Sequence, residues 1–315
     1  MDPITHIVAG IGLAALSNTP LSISNPIYLA ASLGSFAPDL DLVCRTQGEI
    51  SYLYRHRGAS HSLLGLLTLP ALAAFLLQLF YPNTGFPTLY FWAMAGNISH
   101  VLLDFFNPHG VQFLWPIKRT RYHQSLLNGF DPILLLIFII SMIGYKYGAT
   151  HPLLAILGFF VYMLFRLTMS KTVHKLLIKE FAEDVSKKFI VMPSLISIWS
   201  WDFLIDNKES IIAGEVKILP KKLQVMAILH KSHERIVNIA TSNKIGKMFQ
   251  DFTPYFHVFP IKKESNEIYL EFIDLRYRIK NTFLHSAIAV YNENEELKKA
   301  FFYPFSKKRE IKITG

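Results

Sequence analysis

Cysteine is almost absent from this chain of 315 residues, in which Cys44 is the only one. A single cysteine excludes an internal disulfide bond, and it also excludes a zinc site built from several cysteines. Any metal ion in this protein must therefore be bound by histidine and carboxylate side chains.

Charged residues are also scarce, at 17% of the chain, whereas an ordinary globular protein has about 25%. Hydrophobic residues make up 51%, and the mean hydropathy is +0.29. This composition is typical of a membrane protein. The net charge of +9 then indicates basic loops beside anionic lipid, so direct nucleic-acid binding is not expected.

The apolar residues of the first 170 positions form separate runs. Four runs approach the length of about 20 residues that crosses a bilayer: Ser62 to Tyr81, Leu89 to Phe106, Pro132 to Tyr147 and Pro152 to Thr168. Two shorter runs, Ile4 to Leu16 and Ile27 to Ala37, are nearer the length of half-helices. Asp2 and Asp131 each precede a proline and are predicted helix N-caps, as is Ser60 before the third run. The start of the chain lacks the basic residues of a cleaved signal peptide, so we expect the first run to be retained.

Basic residues predict the orientation of these runs. They follow the second, fourth and sixth runs, whereas the other links are nearly free of them; the basic positions are Arg45, Arg55, Arg57, Lys118, Arg119, Arg121, Lys171 and Lys175. The positive-inside rule places these links in the cytoplasm. The sequence thus predicts a mainly α, polytopic protein of the inner (cytoplasmic) membrane, with a cytoplasmic C-terminal domain.

The last third of the chain has a different pattern. Short aromatic and β-branched segments alternate with turn-forming residues, which predicts a soluble β-rich (α+β) domain with one helix from about Glu234 to Phe249. The predicted organisation is a helical membrane domain at residues 1–170, a linker helix at 171–194 and the β-rich domain at 195–315.

Metal-competent side chains gather at the predicted cytoplasmic ends of the apolar runs. His100 and Asp104 are four residues apart, which places them on one face of a helix. An ionisable residue inside such a segment costs roughly 2.5–3.5 kcal/mol on insertion scales, and metal binding would explain why the pair is present. We therefore predict both residues as metal ligands.

Further candidates come from three other motifs. His6 lies in the first helical turn and His61 begins the third apolar run. Asp39 and Asp41 follow the second run, where alternation can direct one carboxylate to the metal and the other to a second ion or to a ligand histidine. We predict these four residues as metal ligands too.

Two neighbours of His61 are candidates for a catalytic role. His56 can serve as a ligand or as a general acid and base. Arg57 can hold an anionic substrate, or it can simply set the topology.

The order of these motifs resembles that of the YdjM/YfhP-type family of membrane-bound, metal-dependent hydrolases. The resemblance covers roughly residues 1 to 170, and a later motif is similar to the soluble tail of the YfhP-like members. The motifs are Thr5-His6, Pro38-Asp-Leu-Asp41, His56-Arg-Gly-Ala-Ser-His61-Ser, Ser99-His-Val-Leu-Leu-Asp104, Gly110, Leu114-Trp-Pro116 and Asp274-Leu-Arg-Tyr277. The His/Asp pattern also looks like that of zinc-dependent phospholipase C, which implies one to three Zn²⁺ ions and phosphoester hydrolysis.

The resulting functional prediction is a membrane metal-dependent hydrolase that cleaves a phosphoester, with a phospholipid as one option, by means of a metal-activated water. The alternative is a non-enzymatic membrane regulator with a structural metal site, whose C-terminal domain binds a protein partner. Descriptions of YdjM-type proteins include binding to a DNA-damage repressor, which favours this alternative. A transporter is disfavoured because its polar residues would recur on both sides of the bilayer.

Overall fold

A computed structural model describes residues 1–47, 57–181, 187–264, 267–279, 281–305 and 310–313. The chain divides into two compact units, Met1–Thr168 and Met169–Gly315. The first unit is helical and the second is rich in β-strands.

The described residues of the N-terminal part form six α-helices, and the last of them continues past Thr168. They are α1 (Pro3–Ala14), α2 (Pro26–Phe36), α3 (Leu63–Phe80), α4 (Phe86–Phe105), α5 (Pro132–Lys146) and α6 (Leu153–Phe181). Short 3-10 segments extend or precede them at Ala15–Ser17, Ala37–Gln47, Ala59–His61 and Pro82–Thr84. Helix α4 lies at the centre, since it packs against α1, α2 and α3.

The helix starts follow from local capping chemistry. The Asp2 side chain accepts a hydrogen bond from the backbone N–H of Thr5, and the Asp131 side chain accepts one from Leu134, which confirms both predicted N-caps. The prediction for Ser60 was wrong. Helix α3 begins later in the chain, and Ser62 is its N-cap. The Ser60 hydroxyl is oriented by a different partner, described below.

Two of the predicted membrane spans have helices of sufficient length and hydropathy. Among the described helices, Leu63–Phe80 and Leu153–Phe181 reach mean hydropathies of 2.2 and 1.9, and only 28% and 33% of their apolar windows are buried. An apolar helix with so much of its surface exposed is suited to contact with lipid. Helix α5 has only 15 residues. Helix α4 has 20 residues but carries buried polar side chains, so spanning by these two helices stays a prediction.

The described residues of the C-terminal unit form a four-stranded and a five-stranded antiparallel sheet and one short two-stranded sheet. The strands are β1 (Lys188–Pro193), β2 (Ser200–Asp206), β3 (Ser210–Lys217), β4 (Lys222–His230), β5 (Phe256–Glu264), β6 (Glu267–Asp274), β7 (Arg278–Ile279), β8 (Thr282–Phe283), β9 (His285–Asn292), β10 (Leu297–Pro304) and β11 (Ile311–Ile313). One sheet has the order β1-β2-β3-β4 and the other has β11-β10-β9-β6-β5, while β7 pairs with β8. Helices α7 (Glu234–Ser242) and α8 (Lys244–Phe252) connect the two sheets along the chain.

Two sequence predictions for this region were wrong in detail. The predicted linker helix at 171–194 ends at Phe181, and strand β1 begins at Lys188, because Lys188 to Pro193 pair with β2. The predicted helix from Glu234 to Phe249 is two helices. Asn243 interrupts it, since its side chain accepts hydrogen bonds from the N–H groups of Ile245 and Gly246 and so caps a new helix.

A buried ion pair makes the stability of the C-terminal unit depend on pH. Arg278 Nη2 lies 2.8 Å from Asp202 Oδ1, and both side chains are nearly buried. Burial raises the pKa of Asp202 to about 6, and the nearby guanidinium of Arg278 only partly opposes this. The folded state therefore binds the proton more tightly than the unfolded state, whose Asp has a pKa near 3.9. Protonation of Asp202 therefore stabilises the folded state. This contribution is complete below about pH 4 and is lost as the pH rises through about 6.

Between pH 4 and pH 7.5, the free energy of unfolding of wild type should fall by on the order of 3 kcal/mol more than that of Asp202→Asn, because the amide does not titrate. Thermal unfolding of both proteins across this range measures the difference. Parallel melting curves at all pH values would contradict the assignment.

Candidate metal centre

Four buried side chains converge inside the helical unit: Asp39, His61, His100 and Asp104. Each offers one ligand atom, and these atoms all lie within 4.8 Å of one another. Helix α4 carries His100 and Asp104, the 3-10 segment after α2 carries Asp39, and the 3-10 turn before α3 carries His61. Residues from three separate segments of the sequence thus meet at one point, which could hold a metal ion.

His100 presents a nitrogen lone pair to this cluster. Its Nδ1 lies 2.6 Å from the backbone carbonyl oxygen of Ser35. A carbonyl can only accept, so Nδ1 must carry the hydrogen, and in a neutral ring Nε2 is then the acceptor. Nε2 lies 3.5 Å from Asp104 Oδ2, and the bond to Ser35 holds the ring in this orientation.

His61 is held in the same tautomer by Ser60. The Ser60 hydroxyl donates to Asp41 Oδ2 at 3.1 Å and lies 2.9 Å from His61 Nδ1, so its oxygen accepts the Nδ1 hydrogen. His61 Nε2 then points into the cluster, 3.1 Å from Asp104 Oδ2 and 3.0 Å from His100 Nε2. Two imidazole lone pairs and a carboxylate at these distances repel one another, and a cation between them would reverse that repulsion.

The two aspartates of the Pro38-Asp-Leu-Asp41 motif have separate positions. Asp39 Oδ1 lies 3.6 Å from His100 Nε2 and belongs to the cluster. Asp41 lies behind His61, with its Oδ2 at 3.8 Å from His61 Nδ1, and also accepts the backbone N–H of Arg57 at 2.9 Å. Asp41 is therefore placed as the outer acceptor that orients a ligand histidine, which is one of the two roles predicted for this pair.

His6 lies against the cluster from helix α1. Its ring stacks on that of His100 with centroids 3.6 Å apart, and its Nε2 is 3.4 Å from Asp104 Oδ1. Neither ring nitrogen has a hydrogen-bond partner among the described residues, although the side chain is fully buried. His6 is thus close enough to offer a fifth donor. The amino group of Met1 also contacts Asp104 Oδ1.

Arg57 points inward rather than toward solvent. Its Nε lies 2.9 Å from Asp104 Oδ2, and Nη1 donates to Asn107 Oδ1 at 3.3 Å. The guanidinium therefore compensates the charge of Asp104, and its catalytic role stays a prediction. The other catalytic candidate, His56, lies outside the described residues.

The sequence predictions did not include three groups that position the site: the Ser35 carbonyl, the Ser60 hydroxyl and the Asn107 amide. A backbone carbonyl has no sequence signal. Ser60 lies within the His56-to-His61 motif, and Asn107 follows the ligand candidate Asp104 by three residues. Their closeness in sequence to predicted ligands could therefore have indicated both residues.

The helical unit matches a known family of membrane proteins. The family model described as YdjM inner membrane protein matches residues 1–173, and the chain belongs to this family. The model of the YfhP C-terminal alpha/beta plait domain matches residues 235–312.

A full-length relative shares both parts. The chain is 26% identical to the uncharacterized protein YfhP of Bacillus subtilis (strain 168) in an alignment 305 residues long, and the alignment covers 91% of this chain and 90% of that protein. No solved structure matches the chain.

Proposed function

We propose that this chain is a membrane-bound, metal-dependent hydrolase that cleaves a phosphoester. The observation that carries the proposal is the meeting of two imidazole Nε2 atoms and two carboxylates at one buried point, each histidine held by a partner on its other nitrogen. This is the arrangement by which proteins orient histidine ligands of a metal ion.

The spacing of the donors supports zinc as the ion. Zinc bonds of 2.0–2.1 Å in a tetrahedron separate neighbouring ligand atoms by about 3.3 Å. The distances from His100 Nε2 are 3.0 Å to His61 Nε2, 3.5 Å to Asp104 Oδ2 and 3.6 Å to Asp39 Oδ1. His61, His100, Asp104 and Asp39 would hold the ion, with His6 as a further donor.

A bound zinc ion would lower the pKa of water and neutralise charge that develops on a phosphate oxygen. The chain's own residues keep the ligands in position for this chemistry. Asp41 and Ser60 orient His61, the Ser35 carbonyl orients His100, and Arg57 balances one of the two carboxylates.

The same proposal includes a multi-pass topology in the inner membrane. The positive-inside rule places the basic loops, the metal centre and the C-terminal domain on the cytoplasmic side. Lys118 and Arg119 are exposed, as residues that face anionic headgroups must be.

A hydrolysis assay after metal removal and reloading tests the activity. We expect chelated protein in detergent to recover hydrolysis of a soluble phosphodiester when zinc is added. Asp39→Asn should lose activity by at least about 100-fold, since it removes a charged ligand. Asp206→Asn, which alters a carboxylate of the C-terminal unit far along the chain, is the control. Full zinc occupancy without hydrolysis of phosphomonoesters, phosphodiesters or lipids would refute the proposal.

The burial of the ligands favours one alternative, a regulator with a structural metal site. All four residues are 0–3% exposed, and four protein ligands are the number that a closed structural zinc site has. In that case the β-rich domain would bind a protein partner. X-ray absorption of the zinc-loaded protein distinguishes the two, because a catalytic site keeps a position for water and a structural one does not.

A further inference from the structure

A cavity of about 580 Å³ adjoins the metal centre within the helical unit. Its volume lies within the range of about 300–1,000 Å³ that is typical of small-molecule sites. The residues that determine its chemistry are Leu40, Asp41, Ser60, Leu69, Trp115 and Arg119.

Asp41 and Ser60 connect the cavity to the metal centre. Both line its wall, and both belong to the chain of hydrogen bonds that holds His61. A molecule in the cavity is therefore separated from the ligand histidine by one layer of side chains.

The rest of the lining has an amphiphilic character. Leu40, Leu69 and Trp115 provide an apolar wall, and Arg119 is the cation among the lining residues, all of which are described. The Asp41 carboxylate already accepts hydrogen bonds from the backbone N–H of Arg57 and from the Ser60 hydroxyl, which lowers its repulsion of an anion. A guanidinium beside an apolar wall suits a phosphate that is attached to a hydrocarbon chain.

The surroundings of the cavity favour access from a bilayer. Leu40 is 51% exposed and Ile117, which lies close to Arg119 in the chain, is 87% exposed. Exposed apolar side chains next to Lys118 and Arg119 match the boundary between acyl chains and anionic headgroups.

We propose that this cavity binds the phosphate-bearing headgroup of a membrane lipid, with the phosphate at Arg119 and the first carbons of the chain against Leu40, Leu69 and Trp115. The identification of this lipid as the substrate rests on the proposed hydrolase function. The binding itself does not.

Titration calorimetry with dihexanoyl phosphatidic acid tests the binding, with the zinc-loaded full-length protein in detergent and empty micelles as the blank. Leu69→Trp fills the cavity and Arg119→Gln removes the cation, so each should weaken binding at least 10-fold. Lys118→Gln and Leu79→Trp are matched controls. Lys118 is the exposed basic neighbour of Arg119 and does not line the cavity, and Leu79 lies on the same helix as Leu69 but is 64% exposed and outside the cavity. Both variants should bind within twofold of wild type.

Two results would overturn the lipid assignment. One is undiminished binding by Arg119→Gln, a surface substitution that leaves the helix packing intact. The other is glycerol phosphate binding as tightly as the lipid, which would identify a site for free phosphate. If the variants weaken lipid binding while no protein hydrolyses any ester, the hydrolase proposal fails and the lipid site stands.

Discussion

Replacement of His100 by alanine is expected to remove the bound metal ion. Purified wild type should contain zinc, and the affinity of His100→Ala should be lower by at least about 100-fold, because loss of an outer partner alone costs ~10–100-fold. The substitution removes the donor that lies nearest to His61 and also leaves the Ser35 carbonyl without its partner.

Metal analysis and thermal unfolding both measure this effect. An ion at about 100 times its dissociation constant stabilises the folded state by about 2.7 kcal/mol, so wild type should melt at a higher temperature with zinc than with a chelator. The two curves should coincide for His100→Ala. His151→Ala, which replaces an exposed histidine of the same unit, is the control, and its melting temperature should rise with zinc as much as that of wild type.

Replacement of Ser60, which contacts the ligand His61 and is not itself a ligand, is expected to weaken zinc binding without abolishing it. Ser60→Ala keeps all four ligands but removes the link between Asp41 and His61, so zinc affinity should fall by ~10–100-fold without complete loss. Zinc retention by His100→Ala, or zinc loss from Ser60→Ala equal to that from His100→Ala, would contradict the assignment of inner and outer residues.

Replacement of Gly96 by alanine is expected to separate helices α2 and α4. A Cβ atom at this position would lie 2.1 Å from the Ala31 carbonyl oxygen and 2.9 Å from the Ser35 nitrogen. Both contacts are with backbone, which cannot rotate away as a side chain can. Overpacking typically costs about 1–3 kcal/mol, which outweighs the gain of ~1 kcal/mol in helix propensity.

The displacement should also weaken the metal centre. His100 is one helical turn beyond Gly96, and its ring is held by the Ser35 carbonyl at 2.6 Å on the opposing helix. A lower melting temperature and lower zinc affinity are therefore expected together for Gly96→Ala.

Gly12→Ala is the matched control for this experiment. It introduces the same methyl group into helix α1, where the added Cβ atom would meet no atom of another element within 4 Å. Its melting temperature should equal or exceed that of wild type. Equal stability of Gly96→Ala and Gly12→Ala would show that α2 and α4 do not approach as closely as described.

Local chemistry was predictable where a few neighbouring residues control the structure. Asp2-Pro3 and Asp131-Pro132 predicted helix starts because a carboxylate cap and a proline act within one turn. The split at Asn243 and the end of α6 at Phe181 were not predicted. Periodicity in charged segments favoured a helix past both points, whereas Asn243 caps a new helix and Lys188 to Pro193 pair with β2.

The composition limits the metal ligands to histidine and carboxylate, since the chain has one cysteine, and the spacing of four residues puts His100 and Asp104 on one helical face. Which of the candidates meet depends on the packing of the helices. Asp39 turns toward the cluster while Asp41 turns behind His61, and Arg57 pairs with Asp104. These choices depend on the close approach of α2 and α4 at Gly34 and Gly96, a packing contact between distant segments that no local pattern encodes.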